Sequence, residues 1–326
     1  MNRIFNLLLM AVSLSAFAQS NIEVTKSALK IEMLFPGGKS KALILSYDDG
    51  SKHDRQLVQL MNKHHLVGTF HLNSNQLGTN NYFDYLNKDE IIDLYKGHEV
   101  SVHTANHPNL PDMSRIDVIY EVLEDRKELE RLVGYPVRGM AYPFGNTNDA
   151  VIDAMKGLGI EYARTVGDTY NFKIPNDFLR WQPTIHQFAK AYWEPNQPEK
   201  DAQELTQFYK VIDDFLQTKE LAILDIWGHS WEMGADKKKW DETDKFFTLL
   251  SNNKYVHYST QIDLVDYINA YRNLKFTDLS RNAEPSLNSR VLYNDRYFNQ
   301  LIQLSTAYET NSGAINPSFQ VGTGSW

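Results

Sequence analysis

Residues 41–50, KALILSYDDG, decide the fold, because a short apolar run ends here in two adjacent aspartates and a glycine. The run 41–47 is rich in Leu and Ile, which predicts a buried β-strand. Residues 54–64, DRQLVQLMNKH, carry apolar side chains at helical spacing. The stretch therefore predicts a strand and a helix joined by a turn that carries two carboxylates.

The same strand–helix unit repeats along the chain. Further strands are predicted at 67–72, 99–103, 136–142, 159–165, 221–227 and 255–259, and further helices at 88–97, 114–133, 148–158, 202–217, 241–252 and 261–271. Residues 166–200 are predicted to be irregular, because they carry several prolines and aromatic residues. Alternating strands and helices indicate a parallel α/β fold, either a barrel or a doubly wound sheet.

Polar residues lie just beyond the C-terminal ends of several predicted strands. They are the pair Asp48 and Asp49, His103, residues 143–145 (PFG) and His229. In a parallel barrel these strand ends form the active face. The pattern therefore places the candidate functional residues at one end of the fold.

Composition and charge narrow the class of protein. The chain has 326 residues, a net charge of −8 and a pI of about 5.7. A negatively charged chain without a basic patch is repelled by a phosphate polymer, so we expect no nucleic-acid partner. The absence of cysteine excludes disulfides, iron–sulfur clusters and thiolate zinc sites. Any bound metal must therefore be held by His, Asp or Glu.

The two ends of the chain differ from its middle. Residues 1–18 are predicted to be a secretory signal, with a short positive start, an apolar stretch and an A-x-A pattern at 16–18. We therefore expect an exported protein, either periplasmic or secreted. No other apolar run approaches about 20 residues, so no transmembrane helix is expected. Residues 273–326 lose the alternation and are predicted to form a small C-terminal extension, β-rich or irregular.

Two short motifs favour a metal site, although each has a simpler interpretation. Asp48 and Asp49 would repel each other unless a cation or proton compensates, or they begin a helix as capping residues. His103 and His107 could bind one zinc-like ion, or they could be two surface histidines. Pro108 disfavours a helical conformation of His107, which favours a loop. One Asp and two His would leave coordination positions open for water and substrate.

Together the two motifs resemble those of the polysaccharide deacetylase family, also called the NodB homology or carbohydrate esterase family 4 group. Residues 46–50, SYDDG, are similar to the family motif T-F-D-D-G, and residues 103–108, HTANHP, match H-[ST]-x-x-H-P. The resemblance covers about residues 38–270. It implies a distorted (β/α)7 barrel, which we assign to residues 19–272.

The resemblance also implies a role for each matching residue. Asp48 would be the catalytic base, and Asp49, His103 and His107 would hold a divalent metal, with Zn²⁺ preferred over Co²⁺ or Ni²⁺. His229 would be the catalytic acid, since it follows an apolar strand as in the last motif of the family.

Candidates for the substrate and oxyanion site come from two further segments. The amide N–H of Phe144 would help to hold the oxyanion, and Tyr142 lies beside it in the same motif. Trp231 could stack on a sugar ring, or it could be a packed core residue.

Two family motifs are altered in this chain. Ala141 stands where the family has an arginine that orients the catalytic aspartate. Arg164, on the next predicted strand, could reach the same carboxylate, or it could be a structural arginine. The Asp-Trp pair of the fourth motif has no clean match, since Trp181 lies in the right region without the aspartate.

The resulting prediction is a hydrolase that removes N-acetyl groups, or alternatively O-acetyl groups, from an extracytoplasmic polysaccharide or oligosaccharide. One alternative is a related C–N hydrolase that acts on a small amide or imide. Another is a glycan- or metal-binding homologue without catalysis, which the missing arginine favours.

Overall fold

The computed structural model describes residues 33–187 and 198–273, together with the backbone of three strands beyond residue 273. The predicted signal sequence, residues 1–18, lies outside the described residues. The strands of the main sheet are β1 (Lys41–Asp49), β2 (Thr69–Leu72), β3 (Glu99–Val102), β4 (Gly139–Ala141), β5 (Tyr162–Arg164), β6 (Ile185–His186), β7 (Ala222–His229) and β8 (Val256–Tyr258).

Helices follow most of the strands, as the sequence predicts. The α-helices of the described residues are α1 (Asp54–Lys63), α2 (Ile91–Leu94), α3 (Arg115–Val133), α4 (Asp149–Leu158), α5 (Pro198–Gln217), α6 (Lys237–Leu250) and α7 (Gln261–Arg272). The predicted ends of α3 are confirmed. The Ser114 hydroxyl accepts the backbone N–H of Asp117, and Gly134 ends the helix with φ +78°.

The sheet is parallel and runs in the order β5-β4-β3-β2-β1-β7-β6. A backbone bridge between Arg164 and Trp181 then links β5 to the segment that leads into β6. This bridge brings the two ends of the seven-stranded order together. The architecture is the distorted (β/α)7 barrel that the sequence predicts.

β1 is the central strand, and both of its edges are used. β7 pairs with it from Lys41 to Asp48, while β8 and β2 share the other edge. Its side chains alternate between two apolar clusters. Ala42 and Ile44 belong to a small cluster that includes Trp181 and residues of α7. The intervening leucines belong to the large cluster formed with the surrounding helices. This alternation directs Asp48 to the same side as Ile44.

Two segments differ from their predicted structure. Residues 88–97 contain only a short 3₁₀ turn, Lys88–Glu90, followed by the single turn of α2. β6 lies in the stretch that was predicted to be irregular. It has two residues, too few for a periodic pattern, and its pairing with β7 alone defines it.

Beyond residue 273 the described strands form an antiparallel sheet of their own. They are Leu287–Val291, Leu301–Thr306 and Gln320–Gly322. These strands agree with the prediction of a β-rich extension. The boundary of that extension at residue 273 stays a prediction. Within the described part of the chain, none of the helices combines the length and apolar character needed to cross a bilayer.

Candidate active site

The pairing registers of β1 with β2 and β7 determine which residues meet at the centre of the site. Asp48 lies directly beside His71 of β2 on one edge and beside His229 of β7 on the other. Asp48 is only 2% exposed to solvent. The next residue, Asp49, has a positive φ of 80°, a conformation that is costly for a residue with a side chain. This turn lets two consecutive carboxylates serve the same site.

Two cationic or donor groups hold Asp48. The Arg164 guanidinium contacts both of its carboxylate oxygens, and His71 Nδ1–H donates to Oδ1 over 3.0 Å. Burial raises the pKa of Asp48, but Arg164 first, then the nearby histidines, lower it well below its usual range. Asp48 is therefore a carboxylate at neutral pH. Sequence reasoning missed His71, although a histidine inside the apolar strand 67–72 was a signal.

Arg164 reaches this position because β4 and β5 are in register. Ala141 and Arg164 are direct neighbours across the two strands. The guanidinium is fully buried, and its carbon lies 4.6 Å from the centre of the Trp227 ring. The structure thus places Arg164 against Asp48, as the sequence suggested, and its role in orienting the base stays a prediction.

The three predicted metal ligands converge beside Asp48. Asp49 Oδ1 lies 3.5 Å from His103 Nε2 and 3.9 Å from His107 Nε2, and the ligand atoms of the three residues lie within 4.8 Å of one another. His103 Nδ1–H donates to the carbonyl of Ala141 over 2.8 Å, which leaves the lone pair of Nε2 for a metal. Burial lowers the pKa of His103 to about 4, so this ring is neutral, as a ligand must be.

This donor set fits a divalent first-row ion. Two imidazole nitrogens and one carboxylate oxygen are ligands that zinc accepts, and three protein ligands leave room for water or substrate. The loop that carries the histidines is not helical, since Thr104 and His107 have φ of 68° and 60°. The predicted loop conformation is therefore confirmed.

Two carboxyl side chains of α3 accept backbone N–H groups of this loop. Asp125 accepts the backbone N–H of His103 over 2.9 Å and that of Ser74 over 2.7 Å. Glu121 accepts the backbone N–H of Asn106 over 2.9 Å. Because charged acceptors bind N–H groups strongly, these contacts fix the backbone that carries both histidine ligands.

His229 faces the metal ligands from β7. Its Nε2 lies 4.0 Å from Asp49 Oδ2, and its Nδ1–H donates to Glu232 over 3.1 Å. Burial lowers the pKa of His229, but the Glu232 carboxylate outweighs this effect and raises the pKa to about 9. The sequence did not single out Glu232, which lies in the 3₁₀ turn Ser230–Glu232. Its place three residues after His229 carries no recognisable pattern.

Glu232 also contacts a second histidine. His186 Nε2–H donates to it over 3.0–3.1 Å, and the His186 ring stacks on Trp227 with the ring centres 4.0 Å apart. His186 comes from β6, the strand that sequence reasoning missed. Its position beside the site depends on strand pairing and could not be read locally.

Trp231 contacts the metal site with its polar atom. The indole N–H donates to Asp49 Oδ2 over 2.8 Å, on the oxygen that does not face the two histidine ligands. The ring lies against Phe83, at 5.6 Å between centres, and against His229, at 4.7 Å. The structure therefore gives Trp231 contacts within the site, and its predicted role in stacking on a sugar stays a prediction.

Phe144 and Tyr142 occupy different environments. Phe144 has φ +59°, is 56% exposed, and its ring contacts that of His107 at 4.6 Å. Its ring thus lies next to a metal ligand. Tyr142 is buried, and its hydroxyl donates to the carbonyl of Leu179 over 3.0 Å. The assignment of both residues to the substrate site stays a prediction.

The polysaccharide deacetylase family model matches residues 36–163, the part that holds Asp48, Asp49, His103 and His107. Over these residues, about two fifths of the chain, the sequence is similar to the polysaccharide deacetylase family. The matched residues end one position before Arg164 and well before His229, so the family match itself says nothing of these two.

Individual relatives are distant. The chain is 24% identical to a chitin deacetylase of Pestalotiopsis sp over 41% of this chain and 45% of that protein. It is 26% identical to the peptidoglycan-N-acetylglucosamine deacetylase PgdA of Listeria monocytogenes over 51% of this chain and 34% of that protein. The matched region therefore spans less than half of each of these two relatives.

A solved structure supports the fold. A polysaccharide deacetylase homologue from Mycobacterium smegmatis superimposes with a TM-score of 0.57 and 13% identity, over 76% of this chain and 98% of that chain. At this identity the similarity establishes the barrel architecture of the deacetylases.

Proposed function

We propose that this protein is a metal-dependent hydrolase that removes N-acetyl groups from an extracytoplasmic polysaccharide. The proposal rests on one observation: three kinds of functional group lie close together at one end of the barrel. These are a metal-ligand set, an ionised buried carboxylate and a histidine paired with a carboxylate. Metal-assisted amide hydrolysis uses each of them, to activate water, to accept its proton and to protonate the departing amine.

Asp49, His103 and His107 would hold the ion, and we propose Zn²⁺ as the native one. When bound, such an ion polarises a carbonyl and makes water more acidic. Asp48 accepts the proton of the attacking water. Its Oδ2 is the oxygen for this task, because Oδ1 accepts from both His71 and Arg164, whereas Oδ2 accepts from Arg164 alone. Arg164 and His71 keep the carboxylate in place and ionised.

The remaining two roles belong to groups on either side of the metal ligands. The backbone N–H of Phe144 stabilises the negative charge that develops on the carbonyl oxygen, a contribution of about 2.7–4 kcal/mol for a donor of this kind. His229 donates a proton to the departing amine, and Glu232 keeps its ring oriented and protonated. The predicted signal sequence of residues 1–18 supports a site of action outside the cytoplasm.

The decisive experiment measures acetate release from a panel of N-acetylated glycans, such as chitin oligosaccharides and peptidoglycan fragments. We expect release that a chelator abolishes and Zn²⁺ restores. Asp48→Asn should lose about 10²–10⁴ in rate while it still binds the metal. Release that persists in Asp48→Asn would contradict the mechanism, and metal binding without release from any glycan would contradict the function.

A further inference from the structure

A second cluster of metal-binding side chains lies behind His229. His186 Nε2 is 3.0 Å from Glu232 Oε1, and His229 Nδ1 is 3.1 Å from the same oxygen. One ligand atom from each of the three residues lies within 4.8 Å of the others. Two imidazoles and one carboxylate therefore meet here, the same donor types that form the first set at Asp49.

The second cluster is enclosed by the protein. His186 and Glu232 are 8% and 6% exposed. Gly228 makes room for them, since a Cβ atom at this position would lie 3.2 Å from Glu232 Oε2 and 3.4 Å from His186 Cδ2. A Cβ atom would be tight against Glu232 and in ordinary van der Waals contact with His186, so glycine leaves more room for Glu232.

The spacing of the donor atoms fits a small divalent ion. Tetrahedral zinc, with zinc–nitrogen bonds of about 2.0–2.1 Å, keeps neighbouring donors roughly 3.3 Å apart. The two nitrogen–oxygen distances at Glu232, 3.0 and 3.1 Å, are those of hydrogen bonds when no ion is bound, and they lie within about 0.3 Å of this value. Of the corresponding distances in the first set, 3.5 Å is about as close to this value and 3.9 Å is farther from it.

We propose that His186, Glu232 and His229 form a second divalent-cation site whose occupation inhibits the enzyme. An ion bound there takes the lone pairs of His229 Nδ1 and His186 Nε2. The proton on His229 Nδ1 leaves to solvent, and His186 exchanges its Nε2 proton for one on Nδ1. The His229 ring can then no longer be an imidazolium, and its Nε2–H becomes a much weaker acid. The inhibition rests on the proposed function of His229, whereas the binding of the ion does not.

The second ion binds more weakly than the first. Both sites approach the same imidazole, since His229 Nε2 faces Asp49 and Nδ1 faces Glu232. Two dications on either side of one imidazole ring repel each other, because only that ring separates them. Activity should therefore rise with the first equivalent of metal and fall as the metal concentration increases further.

The test uses Zn²⁺ alone as the probe. The whole protein, stripped with a chelator, is dialysed against rising Zn²⁺, and the bound ions are counted by elemental analysis. We expect two ions per chain for the wild type. His186→Gln keeps an N–H donor for Glu232 and removes the imidazole ligand, so it should bind one ion and need at least ten times more Zn²⁺ for inhibition. The inhibition of each protein is expressed relative to its own activity with one equivalent of Zn²⁺.

Two further variants test which residues hold each of the two ions. His103→Gln should lose the first ion and keep the second, and Glu232→Gln should lose only the second. Thermal unfolding of each variant verifies that it is folded. One ion per chain in the saturated wild type, or unchanged zinc inhibition in His186→Gln, would overturn the second site. Two bound ions in a protein that releases no acetate would instead overturn the proposed function and leave the site standing.

Discussion

Ala141 of β4 and Arg164 of β5 are register partners, so the guanidinium that contacts Asp48 enters the site from the strand beside the expected one. In a parallel sheet such partners have side chains on the same face. An arginine on either strand can therefore project towards the same carboxylate. Arg164 is therefore our candidate for the arginine that the altered family motif lacks.

This assignment predicts that an arginine at position 141 compensates in part for the loss of Arg164. Arg164→Ala should reduce deacetylation by at least a hundredfold and destabilise the fold by about 3–5 kcal/mol, because it leaves Asp48 buried without its main partner. The double variant Ala141→Arg with Arg164→Ala should recover part of both losses, measured as kcat and as urea unfolding. Arg180→Ala is the control, since Arg180 forms a half-exposed surface pair. Full activity in Arg164→Ala would refute the role of this residue.

Glu232 should matter most for substrates with poor leaving groups. An amine must be protonated to depart, whereas p-nitrophenolate departs without a proton. We therefore expect Glu232→Gln to slow the release of acetate from N-acetylated glycans by about 10²-fold, within the range of acid catalysis. Hydrolysis of p-nitrophenyl acetate should fall far less. Equal losses on both substrates would indicate a structural effect and argue against acid catalysis by His229.

Trp231 should tune the affinity for the metal. Its N–H binds Asp49 Oδ2, which leaves Oδ1 to face the two histidine ligands. Trp231→Phe keeps an aromatic ring against Phe83 and removes the donor, so we expect about a tenfold loss in metal affinity in a competition titration with a chelator. The control is Trp240→Phe, which removes an N–H that donates to the carbonyl of Gly234. Equal affinities of the two variants would show that the hydrogen bond is unimportant for the metal.

Glu99 should make stability depend on pH. Burial raises its pKa to about 7, although Tyr162, Thr69 and the backbone of Ile262 donate to it. In an unfolded chain the pKa of Glu is about 4.3. Between about pH 4.3 and pH 7 the folded chain therefore holds a proton on Glu99 that the unfolded chain has lost. The stabilisation from this proton is complete below about pH 4.3 and is lost as the pH rises from about 4.3 to 7, by about 4 kcal/mol in total.

The matched variant is Glu99→Gln, which resembles the protonated form. We expect wild type and variant to have similar free energies of urea unfolding at pH 4.5, and the variant to be more stable at pH 8. Other buried carboxyls, such as Asp54 and Asp125, also have raised pKa values, so only the difference between the two proteins isolates Glu99. A difference that is the same at both pH values would contradict the expectation.

The sequence was most informative where chemistry and pattern are local. Asp48, Asp49, His103 and His107 lie in two short motifs, and each barrel strand except β6 has its own apolar run. Their clustering follows from the parallel barrel, which brings strand ends together.

Residues that act through partners far away in the chain were harder to predict. His71 and Glu232 become meaningful only when β2 and β7 are placed on either side of β1. The same holds for His186, which depends on the pairing of a two-residue strand. Arg164 could be proposed because only one strand separates it from the expected position.

The backbone at the metal site has a consequence for the evolution of the protein. Asp49, Thr104, His107 and Phe144 all adopt left-handed φ angles of 59–80°, at a cost on the order of 1–3 kcal/mol each. Glycine would relieve this strain at every one of them and would remove a ligand at Asp49 and His107. Selection for thermostability alone would therefore favour glycine at these positions and remove the site. These side chains persist only under selection for what they bind.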